Sequence, residues 1–180
     1  GEVSAVDRLL KSAPPRLADE RLARLKLDAA YLLFDSSGAC AEIRRALGAG
    51  QSEGAQRGQA FCQALAGDGG KAELSLRLLS EQGFKPDPTY DALMEALIHG
   101  TKPRLAGAKD LRPIDLALLR AAKQPAPADA ATVRVPGVWW PLADSPSTES
   151  GTRLALAERL EAAGLWTVAQ RTKIILEADV

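Results

Sequence analysis

Apolar residues recur along this chain at steps of three and four, and glycine interrupts the recurrence at short intervals. The run before Gly100 is typical, with apolar residues at Tyr90, Leu93, Met94, Leu97 and Ile98. Such spacing places apolar side chains on one face of an α-helix, and a glycine past the last turn accepts the positive φ that ends many helices. Aromatic residues make up only 4% of the chain, whereas alanine and leucine recur throughout, which favours close-packed helices over a sheet. The sequence therefore predicts an all-α fold.

The apolar pattern divides the 180 residues into seven or eight short helices. The glycines expected to end them are Gly38, Gly48, Gly67, Gly83, Gly100 and Gly164. Short turns of this kind predict antiparallel hairpins, stacked as an irregular solenoid-like layer. We expect a hairpin array over 1–123 and a C-terminal hairpin over 148–180, both within a single domain. Between them, five prolines in 124–147 predict an irregular connection that includes Trp139 and Trp140.

Charge and hydropathy limit the classes of function. Lys and Arg together number 23, as do Asp and Glu, so the formal net charge is zero and a large nucleic-acid-binding surface is not expected. No stretch reaches the ~18 consecutive apolar residues that a membrane-spanning helix needs. The sequence begins at Gly1 without a methionine or a cationic leader, from which we expect a mature protein or a segment of a longer one.

The chain has two cysteines, Cys40 and Cys62, which lie eleven residues on either side of Gln51. The glycine-rich stretch around Gln51 is typical of a turn, so the cysteines meet at one level if the flanking helices form an antiparallel hairpin. A disulfide there stabilises the fold by about 3 kcal/mol in the chain-entropy model. It also implies an oxidising compartment such as a bacterial periplasm, with the cytoplasm as the alternative location. The competing interpretation is a pair of buried free thiols.

The residues after Ala66 carry a partial family pattern. Gly67-Asp68 is a turn signal, Ala72 is a small residue early in the next helix, and Pro86 follows that helix. This arrangement resembles the second helix of a tetratricopeptide-type hairpin. The resemblance covers about twenty residues and implies stacked helical hairpins. More loosely, the Ala- and Leu-rich helices with one cysteine pair look like exported helical proteins of bacteria.

Motifs for catalysis and for cofactors are weak. The glycine-rich turn before Lys71 lacks the first glycine, the Ser or Thr after lysine and the preceding strand of a phosphate-binding loop. Two cysteines and the single histidine, His99, do not supply a structural zinc site, and we expect no metal and no cofactor. A helical hydrolase around His99, with Asp110 or Asp115 as its acid, is the alternative function. The more ordinary interpretation of His99 is contact with the terminal carbonyls of a helix that ends at Gly100.

Two features are candidate partner-binding sites. Trp139 and Trp140 lie between prolines and present rigid aromatic area, although they also suit a plug between two groups of helices. The second feature is a cluster of cations in one loop, offset only by Asp110: Lys102, Arg104, Lys109 and Arg112. These cations suit an acidic partner, a lipid headgroup or a polyanion, and a solvated loop accounts for them as well.

Together these patterns favour a non-enzymatic module over an enzyme. Many short helices without a catalytic constellation are typical of interaction or scaffold proteins. We therefore expect the chain to bind a protein partner or other copies of itself. We expect it in the bacterial cell envelope, in the periplasm, with neither a nucleic-acid partner nor a transmembrane segment.

Overall fold

The computed structural model describes residues 2–12, 20–50 and 52–178, and its regular structure within these ranges is helical, without a strand. The all-α prediction is confirmed. The α-helices of the described chain are α1 (Glu2–Ser12), α2 (Glu20–Leu32), α3 (Ser36–Ala49), α4 (Glu53–Leu65), α5 (Gly69–Glu81), α6 (Pro88–His99), α7 (Pro113–Ala121), α8 (Pro136–Asp144), α9 (Ser150–Ala162) and α10 (Val168–Ala178). The tetratricopeptide-like repeat and the division into 1–123, 124–147 and 148–180 stay predictions.

Eight of these helices occupy the predicted segments, and α1 and α8 are additional. Helix α8 lies in the stretch for which the prolines predict an irregular connection. Pro136 is at its first position, where the missing N–H removes no intrahelical hydrogen bond and the fixed φ suits a helix start. Pro141 lies in its interior, so α8 stays short. Its buried side includes Val138 and Leu142, and the helix packs on α9.

Four of the predicted glycines end helices: Gly67, Gly83, Gly100 and Gly164. Each has a φ between 70° and 79°, which lies in the left-handed region that glycine adopts without strain. The same expectation is wrong for Gly38 and Gly48, because both lie inside α3. After α2, it is Phe34 that takes a positive φ, of 55°. The Asp35 carboxylate then accepts a hydrogen bond from the Gly38 N–H at 2.9 Å and caps α3.

Helix α7 lies at the centre of the packing. Besides its chain neighbours α6 and α8, it contacts α2 and α4, which come much earlier in the sequence. Its buried residues run without interruption from Asp115 to Leu119. Around it, successive helices pack pairwise, from α1 on α2 through α4 on α5 and from α8 on α9 to α10. The chain thus combines hairpin stacking with a return of α7 onto α2 and α4.

A disulfide joins Cys40 of α3 to Cys62 of α4, with 5.8 Å between their Cα atoms. The predicted bond is confirmed, and neither cysteine is a free thiol. The bond closes a loop with a sequence separation of 22 residues, so it removes conformational freedom from the unfolded chain and stabilises the fold by about 3 kcal/mol. It ties α3 to α4, and α4 in turn packs on α5, α6 and α7.

Some apolar side chains remain exposed at the surface. Leu74 and Leu78 lie one turn apart on α5 and are 53% and 43% exposed, whereas Leu79 of the same helix is buried. Val168 and Leu176 of α10 are also exposed. In the part of the chain that the structure describes, no helix combines the length and the apolar composition needed to cross a bilayer.

Candidate binding site

One cavity lies between two irregular segments, 100–107 and 123–129, and has a volume of about 750 Å³. We call it the lysine cavity, because Lys102 and Lys123 both line it. Three prolines also line it, namely Pro103, Pro125 and Pro127. Their fixed φ angles limit the conformations of both segments. The cavity therefore has walls of restricted backbone, although neither wall is a helix.

The Asp129 carboxylate joins the two walls of the lysine cavity. Its Oδ1 accepts a hydrogen bond from the Ala108 N–H at 2.8 Å. A Cβ added to Gly107 would lie only 2.8 Å from Oδ2 of the same carboxylate. A side chain at position 107 would have to displace this carboxylate. Asp129 is the only acid among the lining residues, and this hydrogen bond engages it with the opposite wall.

The two lysines have no comparable partner. Both side chains are exposed, and neither ammonium group forms a hydrogen bond or an ion pair with another described residue. Lys123 follows the end of α7 with a φ of 52°, where other helices of the chain have glycine. Two lysines and one aspartate line the lysine cavity, so its net charge is positive and it suits an anionic group. Sequence reasoning missed Lys123, since it lies in a different segment from the loop cluster.

The four cations of the predicted loop cluster lie in different environments in the structure. Lys102 lines the lysine cavity. Two other members are exposed but do not line it: Arg104 and Lys109. Arg112 is held by two carboxylates, although its side chain is 45% exposed. The four cations therefore do not form one surface with equivalent members, and partner binding by each of them stays a prediction.

Arg112 belongs to a network at the start of α7. Its Nε and Nη2 donate to the Asp115 carboxylate at 2.8 Å each, and its backbone N–H donates to the same carboxylate at 2.9 Å. Asp115 is fully buried, so these bonds replace the water that its carboxylate loses. The hydrogen bond to Asp115 raises the pKa of Arg112 above its usual value. Asp87 continues the network, lying 2.6 Å from Arg112 and 3.6 Å from Arg57.

We call Arg112, Asp115, Asp87 and Arg57 the α7 network. Arg112 is the residue before α7, and Asp115 is the third residue within it. An acid at that position reaches back to the backbone N–H before the helix, as in a capping box. This spacing is the sequence signal that predicts the pairing, and sequence reasoning considered Asp115 only as a partner for His99.

The two tryptophans are half-buried and contact neighbouring elements. The Trp139 Nε1–H donates to the Val133 carbonyl at 2.6 Å, and the Arg159 guanidinium of α9 lies over its ring, 4.6 Å from the centroid. Trp140 stacks on Phe34, with 6.1 Å between ring centroids. These contacts join α8 to α9 and to the residues that follow α2. Partner binding by Trp139 and Trp140 stays a prediction.

His99 lies at the surface, in the last turn of α6. Its Nε2 is 3.0 Å from Glu73 of α5 and 3.9 Å from Glu95. Asp115, one of the acids considered for it, is instead bonded to Arg112. Within the described ranges, no group of three or more His, Cys, Asp or Glu side chains is placed to hold a metal ion. A hydrolase site around His99 stays a prediction.

Within the described residues, the lysine cavity brings together two charges without partners from separate parts of the sequence. Lys102 and Lys123 both line it, and α7 lies between them in the chain. Its cationic lining and partly apolar walls suit an anionic group. Comparison with known proteins finds no matching family model, no matching curated protein and no matching solved structure.

Proposed function

We propose that the protein is a non-enzymatic interaction module that binds an acidic segment of a partner protein in the lysine cavity. The observation that carries this proposal is the pair of unpaired ammonium groups, Lys102 and Lys123, in a cavity whose acid is engaged elsewhere. A partner carboxylate at this place gains two favourable charge interactions without displacing an internal ion pair.

The walls of the cavity support a preformed site. Prolines on both segments and the hydrogen bond of Asp129 limit the backbone conformations that binding would otherwise have to select. A site that is already ordered loses less conformational entropy when a partner binds. Its volume of about 750 Å³ accommodates a few side chains, so the partner contributes a short segment.

The disulfide supports a location in the bacterial periplasm. Disulfides persist in oxidising compartments and are rare in the cytoplasm, where thiols are kept reduced. Alkylation of the thiols in freshly lysed cells, followed by mass spectrometry, tests this location. Unmodified Cys40 and Cys62, joined to each other, are the expected result. Alkylation of both residues would instead favour the cytoplasm.

Fluorescence anisotropy with a labelled short peptide rich in Asp and Glu tests the binding proposal. The control probe is the same peptide with Asn and Gln at the acidic positions. We expect the acidic peptide to bind, the neutral one not to bind, and the affinity to fall as salt is added, because salt screens charge interactions.

Variants with matched charge changes assign the binding to the cavity. We expect Lys102→Glu/Lys123→Glu to weaken peptide binding by about tenfold or more, since it reverses both cations. Arg77→Glu/Lys85→Glu changes the net charge equally at exposed positions outside the lining and should retain binding. Equal weakening in both double variants would contradict the proposal. Sedimentation of the protein alone shows whether the partner is a second copy of the chain. A monomer indicates a separate partner, whereas self-association that Lys102→Glu/Lys123→Glu abolishes indicates a second copy.

A further inference from the structure

A second cavity lies where α2, α3 and the beginnings of α4 and α7 meet, and it has a volume of about 550 Å³. We call it the α2 cavity. Each of the four helices contributes apolar lining, including Leu27, Ala46, Ala55 and Ile114. A cavity of this size, with apolar walls and a few polar groups, is typical of sites for small organic molecules.

Most charged side chains that line the α2 cavity already have partners. Glu53 accepts a hydrogen bond from Arg57 at 2.8 Å, and Glu42 accepts one from Arg45 at 2.6 Å. Arg112 is held by the carboxylates of the α7 network. These groups build the wall of the cavity and do not require a ligand.

Two polar groups of α2 lack hydrogen-bond partners. Tyr31 is only 4% exposed, and its hydroxyl has no partner. The Asp28 carboxylate, one turn earlier, forms no hydrogen bond or ion pair with another described residue, although Arg24 exerts an attractive charge on it. Both side chains line the α2 cavity. Burial raises the pKa of Asp28, as expected for a carboxylate that loses water without gaining donors.

We infer that the α2 cavity binds a small organic cation, a protonated amine carried on an apolar body. Its ammonium group donates to the Asp28 carboxylate. Its apolar body packs against the side chains of Leu27 and Ile114. A half-buried carboxylate without a donor is costly, and an ammonium group removes that cost through a charge-assisted hydrogen bond.

The charged lining of the α2 cavity is balanced in number but not in pairing. Its carboxylates are Asp28, Glu42 and Glu53, and its guanidinium groups are those of Arg24, Arg57 and Arg112. All of these except Asp28 and Arg24 form ion pairs within the protein. Asp28 is half-buried whereas Arg24 is exposed, so water stabilises the Asp28 carboxylate less and a ligand cation beside it gains more than a ligand anion beside Arg24.

Titration calorimetry on the native protein with three probes of equal carbon length tests the ligand class. The probes are hexylammonium, 1-hexanol and hexanoate, which share the apolar body and differ in the polar group. We expect hexylammonium to bind at least about tenfold more tightly than hexanol, and hexanoate to bind most weakly. Equal affinities, or tightest binding of hexanoate, would overturn the inference.

Two substitutions locate the binding. Asp28→Asn keeps the shape of the side chain and removes its charge, so hexylammonium should bind about tenfold more weakly, while hexanol binding stays unchanged. Tyr31→Phe removes only the hydroxyl and should have a smaller effect. Asp110→Asn removes an exposed carboxylate outside the lining and is the matched control. Unchanged hexylammonium binding by Asp28→Asn would contradict the assignment of the amine to Asp28. The ligand class itself is tested by the three probes on the native protein and needs no variant.

The inference does not depend on the proposed partner. The variant Lys102→Glu/Lys123→Glu changes a different cavity, so it should bind hexylammonium as the native protein does. Loss of amine binding in that variant would place the amine elsewhere and overturn the inference.

Discussion

The segment between α6 and α7 carries a cation near each end, and the structure uses the two in opposite ways. Arg112, at the start of α7, donates to the buried Asp115 carboxylate and lies 2.6 Å from Asp87. Lys102, just after α6, has no acidic partner in the described chain and lines a cavity. The sign of a charge in the sequence therefore does not reveal its role in the folded protein. Whether a cation holds the fold together or remains available to a ligand depends on the carboxylates within its reach.

The two side chains also differ in chemistry. Arginine has a planar group with donors in a fixed fork, which suits a carboxylate at two points, whereas the lysine ammonium is a flexible, strongly hydrated point charge. The first turn of a helix attracts an acid, and Asp115 in the first turn of α7 lies within reach of Arg112. Lys102 lies in an irregular segment, where no helix turn places an acid beside it.

Removal of the buried carboxylate should have the largest effect. In Asp115→Ala, the Arg112 guanidinium and backbone N–H lose the fully buried acceptor that they share, so we expect a loss of about 3–5 kcal/mol in the free energy of unfolding. Urea unfolding followed by circular dichroism measures this loss. Asp110→Ala, an exposed aspartate of the same segment, is the control and should change stability by less than about 0.5 kcal/mol. Similar losses in both variants would contradict the distinction between engaged and available charges.

Removal of the disulfide between α3 and α4 should have the next largest effect on stability. Cys40→Ser/Cys62→Ser should lower the free energy of unfolding by about 3 kcal/mol, because the unfolded chain regains the freedom that the bond removes. Urea unfolding of the oxidised native protein and of the variant measures the difference. The lysine cavity lies outside the hairpin, so acidic-peptide binding by the folded variant should be unchanged.

Arg112→Lys tests how much the planar guanidinium group contributes to stability beyond its charge. Lysine keeps the charge but cannot bond Asp115 through two nitrogens while also reaching Asp87, so we expect a loss of about 1.5 kcal/mol in the free energy of unfolding. Arg104→Lys, at an exposed position, should leave stability unchanged. If Arg112→Lys is also neutral, the charge alone holds the start of α7.

Asp28 should respond in the opposite sense to Asp115, because it lacks donors. Burial raises its pKa in the folded protein above the usual 3.8, so the folded state is penalised as pH rises through that raised pKa. Asp28→Asn should therefore be more stable than the native protein at neutral pH. The difference should vanish at pH values below the unfolded pKa, where both states are protonated. Thermal unfolding at neutral and at acidic pH measures this, and a destabilised Asp28→Asn at neutral pH would contradict it.

Lys102→Ala should have the smallest effect on the fold. Its ammonium has no partner among the described residues, so the free energy of unfolding should change by less than about 0.5 kcal/mol. Acidic-peptide binding should nevertheless weaken in the same variant. A clear loss of stability would show that Lys102 is engaged in the fold, as Arg112 is.

Local patterns predicted most of the fold and little of the candidate site. The glycine after α6 and the proline that opens α7 mark helix ends through the backbone freedom of their own residues. The disulfide followed from the symmetric placement of Cys40 and Cys62 about one turn, and it is confirmed. Phe34 shows the limit, because no glycine marks its positive φ in the sequence and its ring is contacted by remote residues. Trp140 stacks on its ring, and Arg120 lies over it at 4.1 Å from the centroid.

The sequence by itself determined the helical class, the eight predicted helical segments and the facing positions of the two cysteines. These depend on periodicity, glycine and proline over distances of one or two helical turns. Only the tertiary structure decided that Arg112 also lies beside Asp87, that Lys102 and Lys123 line one cavity, and that Asp28 and Tyr31 lack hydrogen-bond partners. These outcomes depend on packing between segments that are remote in the sequence, as where α7 returns to α2 and α4. A local pattern specifies the pair of Arg112 and Asp115, whereas the surroundings of Lys102 and Asp28 come from segments that no local pattern brings together.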